Sequence, residues 1–340
     1  MTLPDRLSEQ AVPASLDGLV GLCAPAMDHV NEVILARMAS DVPLIPELAG
    51  HLVAAGGKRM RPMMCIAGAI AASGQTDVPE QALKLAAAVE FIHSATLLHD
   101  DVIDKSDKRR GRDTANALWG NEASVLVGDF LFARSFELMV ETDDLAILGL
   151  LSSASARITE GEVKQMTMVG APNSPLSDYL SVITNKTAIL FAAAAEAGAR
   201  VGGGNKQMCQ ALHLYGLHLG MAFQICDDAL DYEADPADMG KNSGDDFYEG
   251  KVTLPVILAW QDGDTDERAF WQRTLSEGEI SDSDLQTARA CLARHEAVPR
   301  ALAFAREEIE KAITALDILA DGPVKTALTA AALFAGKRAY

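Results

Sequence analysis

An all-α fold, built as a large helical bundle, is what the sequence predicts, and three observations predict it. Apolar residues make up 49% of the 340 and aromatic residues only 5%, so core volume must come from Ala, Leu, Val, Ile and Met. That mix suits helices better than sheets. From about residue 17 onward, apolar positions recur at helical spacing. No sustained strand alternation and no short internal repeat interrupt them.

Taken in order, the periodicity predicts helices over 17–40, 44–55, 61–73, 79–105, 115–141, 144–169, 176–201, 205–233, 252–261, 266–275, 282–294, 299–319 and 323–338. Breakers separate them: Gly56-Gly57, Ser73-Gly74, 141–144, 171–175, 202–205, 235–250 and 321–323. Several of these helices are apolar nearly all round, as interior members of a bundle must be. Residues 1–16 are expected to form a flexible N-terminal segment and 17–340 a single domain, a length that one large helical domain can reach.

The net charge of −19 argues against nucleic acid, whose phosphates need a basic stripe. The cations are nevertheless clustered: Lys58, Arg59 and Arg61, then Lys105, Lys108, Arg109, Arg110 and Arg112. Local positive patches on an acidic chain point to a small anionic ligand. The five cysteines are odd in number and lack any C-x-x-C spacing, so neither disulfides nor structural zinc are expected, which fits a cytoplasmic location. Asp5 and Glu9 come early and no long apolar run follows, so no signal peptide is expected. The apolar stretch 62–73 is too short to span a bilayer and Glu196 interrupts the one over 187–199, so the chain is not expected to be transmembrane.

Residues 97–111, LLHDDVIDKSDKRRG, carry the first chemical signal. Asp100 and Asp104 are four apart and share a helix face; Asp101 and Asp104 are three apart. Like charges at these spacings destabilise a helix, and a hard divalent cation removes the repulsion because carboxylate oxygens are its preferred ligands. A solvated acidic helix end is the bland alternative, but Leu97, Leu98, Val102 and Ile103 interleave with the acids. Residues 223–232, FQICDDALDY, repeat the D-D-x-x-D spacing with Asp227, Asp228 and Asp231, and Gln224 lies one turn earlier. Neither cluster has the alternating acids and central glycine of an EF-hand. Two matching clusters favour a shared polynuclear metal site.

The cations complete the problem. In GGKRMRP, Gly56 and Gly57 allow a tight turn before a helix, and Lys58 and Arg61 can address one anion near its N-terminus. Arg109-Arg110, Lys186-Thr187 in NKTAILF, Lys241 in MGKNSGDD and Lys251 in EGKVTLP are further anion-binding candidates, although each alone reads as a surface cation. Acids that bind Mg²⁺, with Arg and Lys beside them, neutralise a diphosphate and make it a good leaving group. The P-loop and kinase signatures are absent, so the phosphate is not expected to be that of ATP. A diphosphate attached to an apolar group remains, because the acids cap greasy helices.

At this point the sequence resembles the trans-isoprenyl diphosphate synthases, and most closely their long-chain, octaprenyl-type members. The resemblance covers nearly the whole chain after about residue 17. It rests on GGKRMRP, FIHSATLLHDDVIDKSDKRRG, SVLVGDFLFARSF, NKTAILF, FQICDDALDY and MGKNSGDDFYEGKVTLP, in that order. It implies the isoprenoid synthase fold, an all-α bundle around a central cavity, and a homodimer. It also implies about three Mg²⁺ ions per site, with Mn²⁺ as a substitute. Asp100 and Asp104 would bind two of the ions with Asp101 supporting, and Asp227 the third with Asp228 and Asp231 nearby. Arg109, Lys186, Gln224 and Lys241 would hold the allylic diphosphate, with Thr187 and Lys251 alongside; Lys58, Arg61, His93 and Arg110 would hold isopentenyl diphosphate. Without the resemblance, His93 reads as a core histidine.

The implied reaction ionises an allylic diphosphate primer (farnesyl or geranylgeranyl diphosphate). The double bond of isopentenyl diphosphate then attacks, and proton loss leaves an all-trans product extended by one unit. Ala95 and Thr96, five and four residues before Asp100, are small where shorter-chain relatives carry aromatic rings. The tail is therefore expected to pass and the product to be long, C35 to C50 and centred on C40, for a quinone side chain. Phe132 and Phe136 are candidates for the tunnel floor or, equally, ordinary core. Lys105, Lys108, Cys226 and Val252 depart from the usual long-chain pattern, and Lys337-Arg338 either closes over a diphosphate or is a solvated tail. The rival readings are a shorter-chain (farnesyl or geranylgeranyl) synthase, a terpene cyclase, which would have no use for Lys58, Arg61 and Arg110, and a non-catalytic subunit, which should lack one aspartate cluster.

Overall fold

The computed structural model describes residues 12–54, 57–109, 111–233 and 244–337. The first helix, α1 (Asp17–Met38), buries Leu19, Cys23, Ala26, Val30, Ile34 and Met38, a single stripe at spacings of three and four. Among the described residues, α1 is the one helix long and apolar enough to cross a membrane by length and composition. Its buried stripe packs instead on α3 (Met60–Ser73), α4 (Glu80–Ile103) and the last helix. Between α1 and α3 runs α2 (Leu44–Ala54).

After α4 the chain makes a small hairpin, β1 (Lys108–Arg109) with β2 (Arg112–Asp113), in the register Lys108 to Asp113 and Arg109 to Arg112. Gly111 in the connecting turn has φ +75°, which glycine adopts without a Cβ penalty. Sequence periodicity gave no sign of this pairing, because two residues per strand are too few to show alternation. The helix expected over 115–141 is split in two, α5 (Ala115–Trp119) and α6 (Asn121–Val140), at Gly120 with φ +86°. Next comes α7 (Leu145–Met168), capped by Asp144, whose carboxylate accepts from the N–H groups of Ala146 and Ile147.

The helix expected over 176–201 is continuous in direction but interrupted in register. It consists of α8 (Leu176–Ile183), a π-turn (Thr184–Ala188) and α9 (Ile189–Val201). It leads into α10 (Lys206–Glu233), the longest described helix. Within the segment expected to be a breaker lies the short α11 (Asp245–Tyr248), followed by α12 (Leu254–Asp262) and α13 (Thr265–Trp271). The chain ends with α14 (Asp284–Arg294), α15 (Ala297–Ala315) and α16 (Pro323–Lys337).

Inside the bundle, α3 packs on α9, α9 on α10, α10 on α15 and α4 on α6. The inner helices are rich in alanine and glycine, so their backbones can come close. A Cβ on Gly198 would lie 1.8 Å from the carbonyl oxygen of Cys65, a separation only glycine permits. Buried apolar side chains form two clusters. The boundary between them crosses α10 between Ala222 and Ile225, crosses the α8–α9 segment between Ile183 and Ile189, and crosses α7 between Ile158 and Met168. The polar residues described next sit in this seam, where neither core claims the space.

Candidate active site

The two aspartates that begin the first acidic cluster face different ways. Asp101 is 2% exposed and turned inward, where its Oδ1 accepts from Nε (3.0 Å) and Nη2 (2.8 Å) of Arg109. The hairpin that follows α4 brings Arg109 back to this position. Thr114 Oγ1 and Asn116 Nδ2 tie the same loop down by donating to the Ser106 carbonyl. Asp100 and Asp104 lie one turn apart on the other face. Burial pushes the Asp100 carboxyl up to about 7; Lys186 and Arg109 oppose the shift, and Glu162 and Asp104 reinforce it. The ammonium of Lys186 is itself held by Glu162 at 2.5 Å and by Gln165 Oε1 at 2.7 Å, both on α7.

The second acidic cluster ends α10. Asp228 is buried with both oxygens engaged: Tyr179 Oη donates to Oδ2 and Gln224 Nε2 to Oδ1, each at 2.7 Å. Gln224 in turn accepts from Thr187 Oγ1 at 2.8 Å. Burial raises the Asp228 carboxyl to about 7, with those two donors working against the shift. Asp231 accepts at Oδ2 from the backbone N–H of Asp246, 3.1 Å away. Burial, with Asp228 and Asp231 close by, lifts the Asp246 carboxyl well above the carboxylate range.

Lys251 links the two clusters. Its Nζ is 3.4 Å from Asp104 Oδ2 and 3.9 Å from Asp246 Oδ1, and it also pairs with Glu249. Burial disfavours its charge, but Asp246, Asp104 and Glu249 outweigh that and hold its pKa above the ordinary lysine value.

A second cationic group lies at the start of α3. Arg61 stacks over the Phe191 ring at 4.4 Å, and its Nη1 lies 3.1 Å from His93 Nε2. Burial lowers its pKa to about 10, against the pull of Glu90, and it remains charged at neutral pH. Its Nε is buried with no hydrogen-bond partner. Arg59, which adopts a left-handed conformation (φ +50°) before α3, pairs with Glu90. Lys58 Nζ lies 4.4 Å above the Phe334 ring. Lys58, Met60, Phe191, Phe223 and Phe334 line one small apolar pocket.

A family model, polyprenyl synthetase, matches residues 42–292. The chain belongs to this family. It is 42% identical over 326 residues to the octaprenyl diphosphate synthase of Haemophilus influenzae, covering 96% of this chain and 98% of that one. Among solved structures, it is similar to a polyprenyl synthase from Caulobacter crescentus complexed with calcium and isoprenyl diphosphate (TM-score 0.91, 48% identity, 95% and 98% of the two chains). It is likewise similar to a decaprenyl diphosphate synthase from Rhodobacter capsulatus (TM-score 0.91, 46% identity, 96% and 100% covered). The chain is thus a prenyltransferase with the isoprenoid synthase fold, and its likeness to octaprenyl and decaprenyl enzymes favours the long-chain reading over the shorter-chain one.

Within this polyprenyl synthetase, Asp100, Asp104, Lys186, Thr187, Gln224, Asp228, Asp231 and Lys251 converge on the seam. Arg61, His93 and Lys58 gather on the Phe191 side. Arg110, Lys241 and Arg338 lie outside the described residues, as do residues 1–11 of the expected N-terminal segment. Ala95 is fully buried, and Thr96 donates to the His93 carbonyl at 2.8 Å. Phe132 and Phe136 form an edge-to-face pair, centroids 5.5 Å apart, against the larger core cluster. Cys226 and Val252 are buried in the smaller one. Sequence reasoning missed Glu162, Gln165, Tyr179 and Asp246. Glu162 and Gln165 are three apart and share one face of α7, a half-exposed helix on which such a polar pair is ordinary in sequence.

Polyprenyl synthetase chemistry implies a divalent cation. The donor set fits one, being carboxylate oxygens that suit a hard ion, with desolvated Asp100 beside Asp104 and Glu162. Among the described residues no three such side chains form a ready-made cage.

Proposed function

We propose that the chain is a long-chain all-trans polyprenyl diphosphate synthase that adds isopentenyl diphosphate repeatedly to a farnesyl or geranylgeranyl diphosphate primer. The observation that carries this reading is the ion pair of Lys251 with Asp104, since Lys251 also faces Asp246, whose N–H donates to Asp231 of the second acidic segment. In this reading Asp100 and Asp104 on one side and Asp227 and Asp231 on the other hold the Mg²⁺ ions, about three per site, with Mn²⁺ able to replace them. Asp101 and Asp228 act from behind, Asp101 by aiming Arg109 and Asp228 by fixing Gln224.

Magnesium, when bound, neutralises the charge that builds on the departing diphosphate. Lys186, Arg109, Lys251 and Lys241, with Thr187 and Gln224, bind that diphosphate and stabilise it as it leaves. Lys58, Arg61, His93 and Arg110 grip the diphosphate of the isopentenyl substrate. The phenyl ring of Phe191 fixes the Arg61 guanidinium by a cation–π contact. Proton loss goes to the released diphosphate, so no protein nucleophile is required.

Product length follows from Ala95 and Thr96, whose small side chains leave the growing tail a path along α4. C40 is the proposed product, for a quinone side chain, handed to the membrane after release. The chain is further proposed to be one domain (17–340) that pairs as a homodimer in the cytoplasm. Exposed Leu126, Val125 and Leu145 on α6 and α7 supply apolar surface for a second copy, and five buried cysteines outside any disulfide suit a reducing compartment. The test is product chromatography after incubation with farnesyl diphosphate and isopentenyl diphosphate, with and without Mg²⁺. A C40 product that requires the metal is expected; a C20 product would favour the shorter-chain reading, and metal-independent turnover would overturn both.

A further inference from the structure

Lys186 reaches the seam from a stretch of backbone that breaks helical register. In the π-turn Thr184–Ala188, the N–H of Ile189 donates to the carbonyl of Thr184, five residues back. Such turns have poorer geometry than the α-helix they interrupt and persist where something holds them. Here α7 does so at three levels. At Gly161 the two backbones touch: a Cβ there would lie 2.7 Å from the Lys186 nitrogen and 3.0 Å from Asn185 Cβ. One turn earlier, Arg157 donates from Nε (3.0 Å) and Nη2 (2.8 Å) to Asn185 Oδ1. A guanidinium can only donate, so it demands the oxygen of the amide and fixes its orientation. Glu162, the residue after Gly161, and Gln165, one turn later, take the Lys186 ammonium.

Lys186 and Thr187 are consecutive, and from this turn Lys186 addresses α7 while Thr187 donates to Gln224 on α10. A return to ordinary α-helix would shift the register of α8 against α9 by one residue.

We propose that Arg157 and Asn185 are positioning residues for allylic diphosphate binding: their forked hydrogen bond locks the π-turn so that Lys186 faces the seam. This rests on the proposed role of Lys186 at the allylic diphosphate. The experiment is steady-state kinetics on the full-length enzyme, varying each substrate with the other saturating, for Asn185→Leu, Asn185→Asp and Lys186→Ala. Leucine removes the acceptor at similar volume; aspartate keeps an acceptor for Arg157. Asn185→Leu is expected to raise the KM for the allylic diphosphate about tenfold while the KM for isopentenyl diphosphate stays within about twofold. Asn185→Asp should recover most of that loss.

If Asn185→Leu leaves the allylic KM unchanged while Lys186→Ala raises it, the clamp is wrong and the role of Lys186 stands. If Lys186→Ala itself leaves the allylic KM unchanged, the role of Lys186 fails and the clamp with it. A parallel rise of both KM values in Asn185→Leu, with a lowered melting temperature, also overturns the clamp, since a merely structural contact would give that result.

Discussion

The Nζ of Lys251 lies 3.4 Å from Oδ2 of Asp104, although 147 positions separate them. The first acidic segment reaches the second through Lys251 and Asp246, since Lys251 also faces Asp246, which is bonded through its N–H to Asp231. Replacing Lys251 with Ala leaves three carboxylates facing one another without their cation. Lys251→Ala is expected to lower kcat/KM for the allylic substrate about 100-fold, the scale for loss of one charged group at a developing anion. Lys251→Arg, which keeps the charge, should recover at least part of it. Initial rates at saturating isopentenyl diphosphate and Mg²⁺ measure both.

Ala95 is fully buried, five residues before Asp100 on α4. A helix turn is about 5.4 Å, on the order of one isoprene unit, so a ring at this position should stop the chain within the first turn below the acids. Ala95→Phe is expected to shorten the product sharply by chromatography, while overpacking costs about 1–3 kcal/mol of stability. An unchanged product length would remove Ala95 from the tunnel wall.

Tyr179 is pushed well above its ordinary pKa by burial and by Asp228 beside it, so its hydroxyl keeps the proton it donates. Tyr179→Phe leaves one buried oxygen of Asp228 without a donor. An unsatisfied buried acceptor costs about 1–3 kcal/mol, read as a lower urea midpoint at unchanged slope.

Glu308 on α15 is buried, which opposes its charge, but His218 at 2.7 Å and Lys311 at 2.6 Å outweigh that and hold its carboxyl below the usual range. Glu196 is held down the same way by His213 and Arg200. A carboxyl whose folded pKa is depressed contributes stability above the unfolded value of about 4.3 and loses it as the pH falls through the folded value. Melting temperature should therefore drop more steeply below about pH 4.3 in the parent than in Glu308→Gln. Equal slopes would exclude Glu308 as a contributor.

Burial pushes the thiols of Cys23 and Cys65 up to about 12. The thiolate is the reactive form, so neither should react with a thiol reagent at pH 8 until the chain unfolds. Mass spectrometry of the native protein after alkylation checks this.

The helices were legible because burial imposes a period of 3.6 on apolar residues, and α1 can be read from that period directly. The acidic clusters were legible for a related reason: acids beside leucines contradict the expected pattern and draw attention. Glu162 and Gln165 were less visible, because a polar pair on a half-exposed helix is ordinary in sequence. Tyr179 gave no signal at all, since its partner Asp228 is on another helix. The hairpin at 108–113 and the π-turn at 184–188 lie below the resolution of periodicity, one being too short and the other a change of one residue in phase.

By itself the sequence determined the all-α class, the order of helices and the residue types that carry charge, because each of these depends on neighbours close along the chain. Tertiary structure alone decided which oxygen meets which cation. It turned Asp101 inward to Arg109, satisfied both oxygens of Asp228, and set Lys251 against Asp104. The physical reason is that electrostatic and hydrogen-bond partners are chosen by distances of about 3 Å between side chains, and only the packing of one helix on another sets those distances.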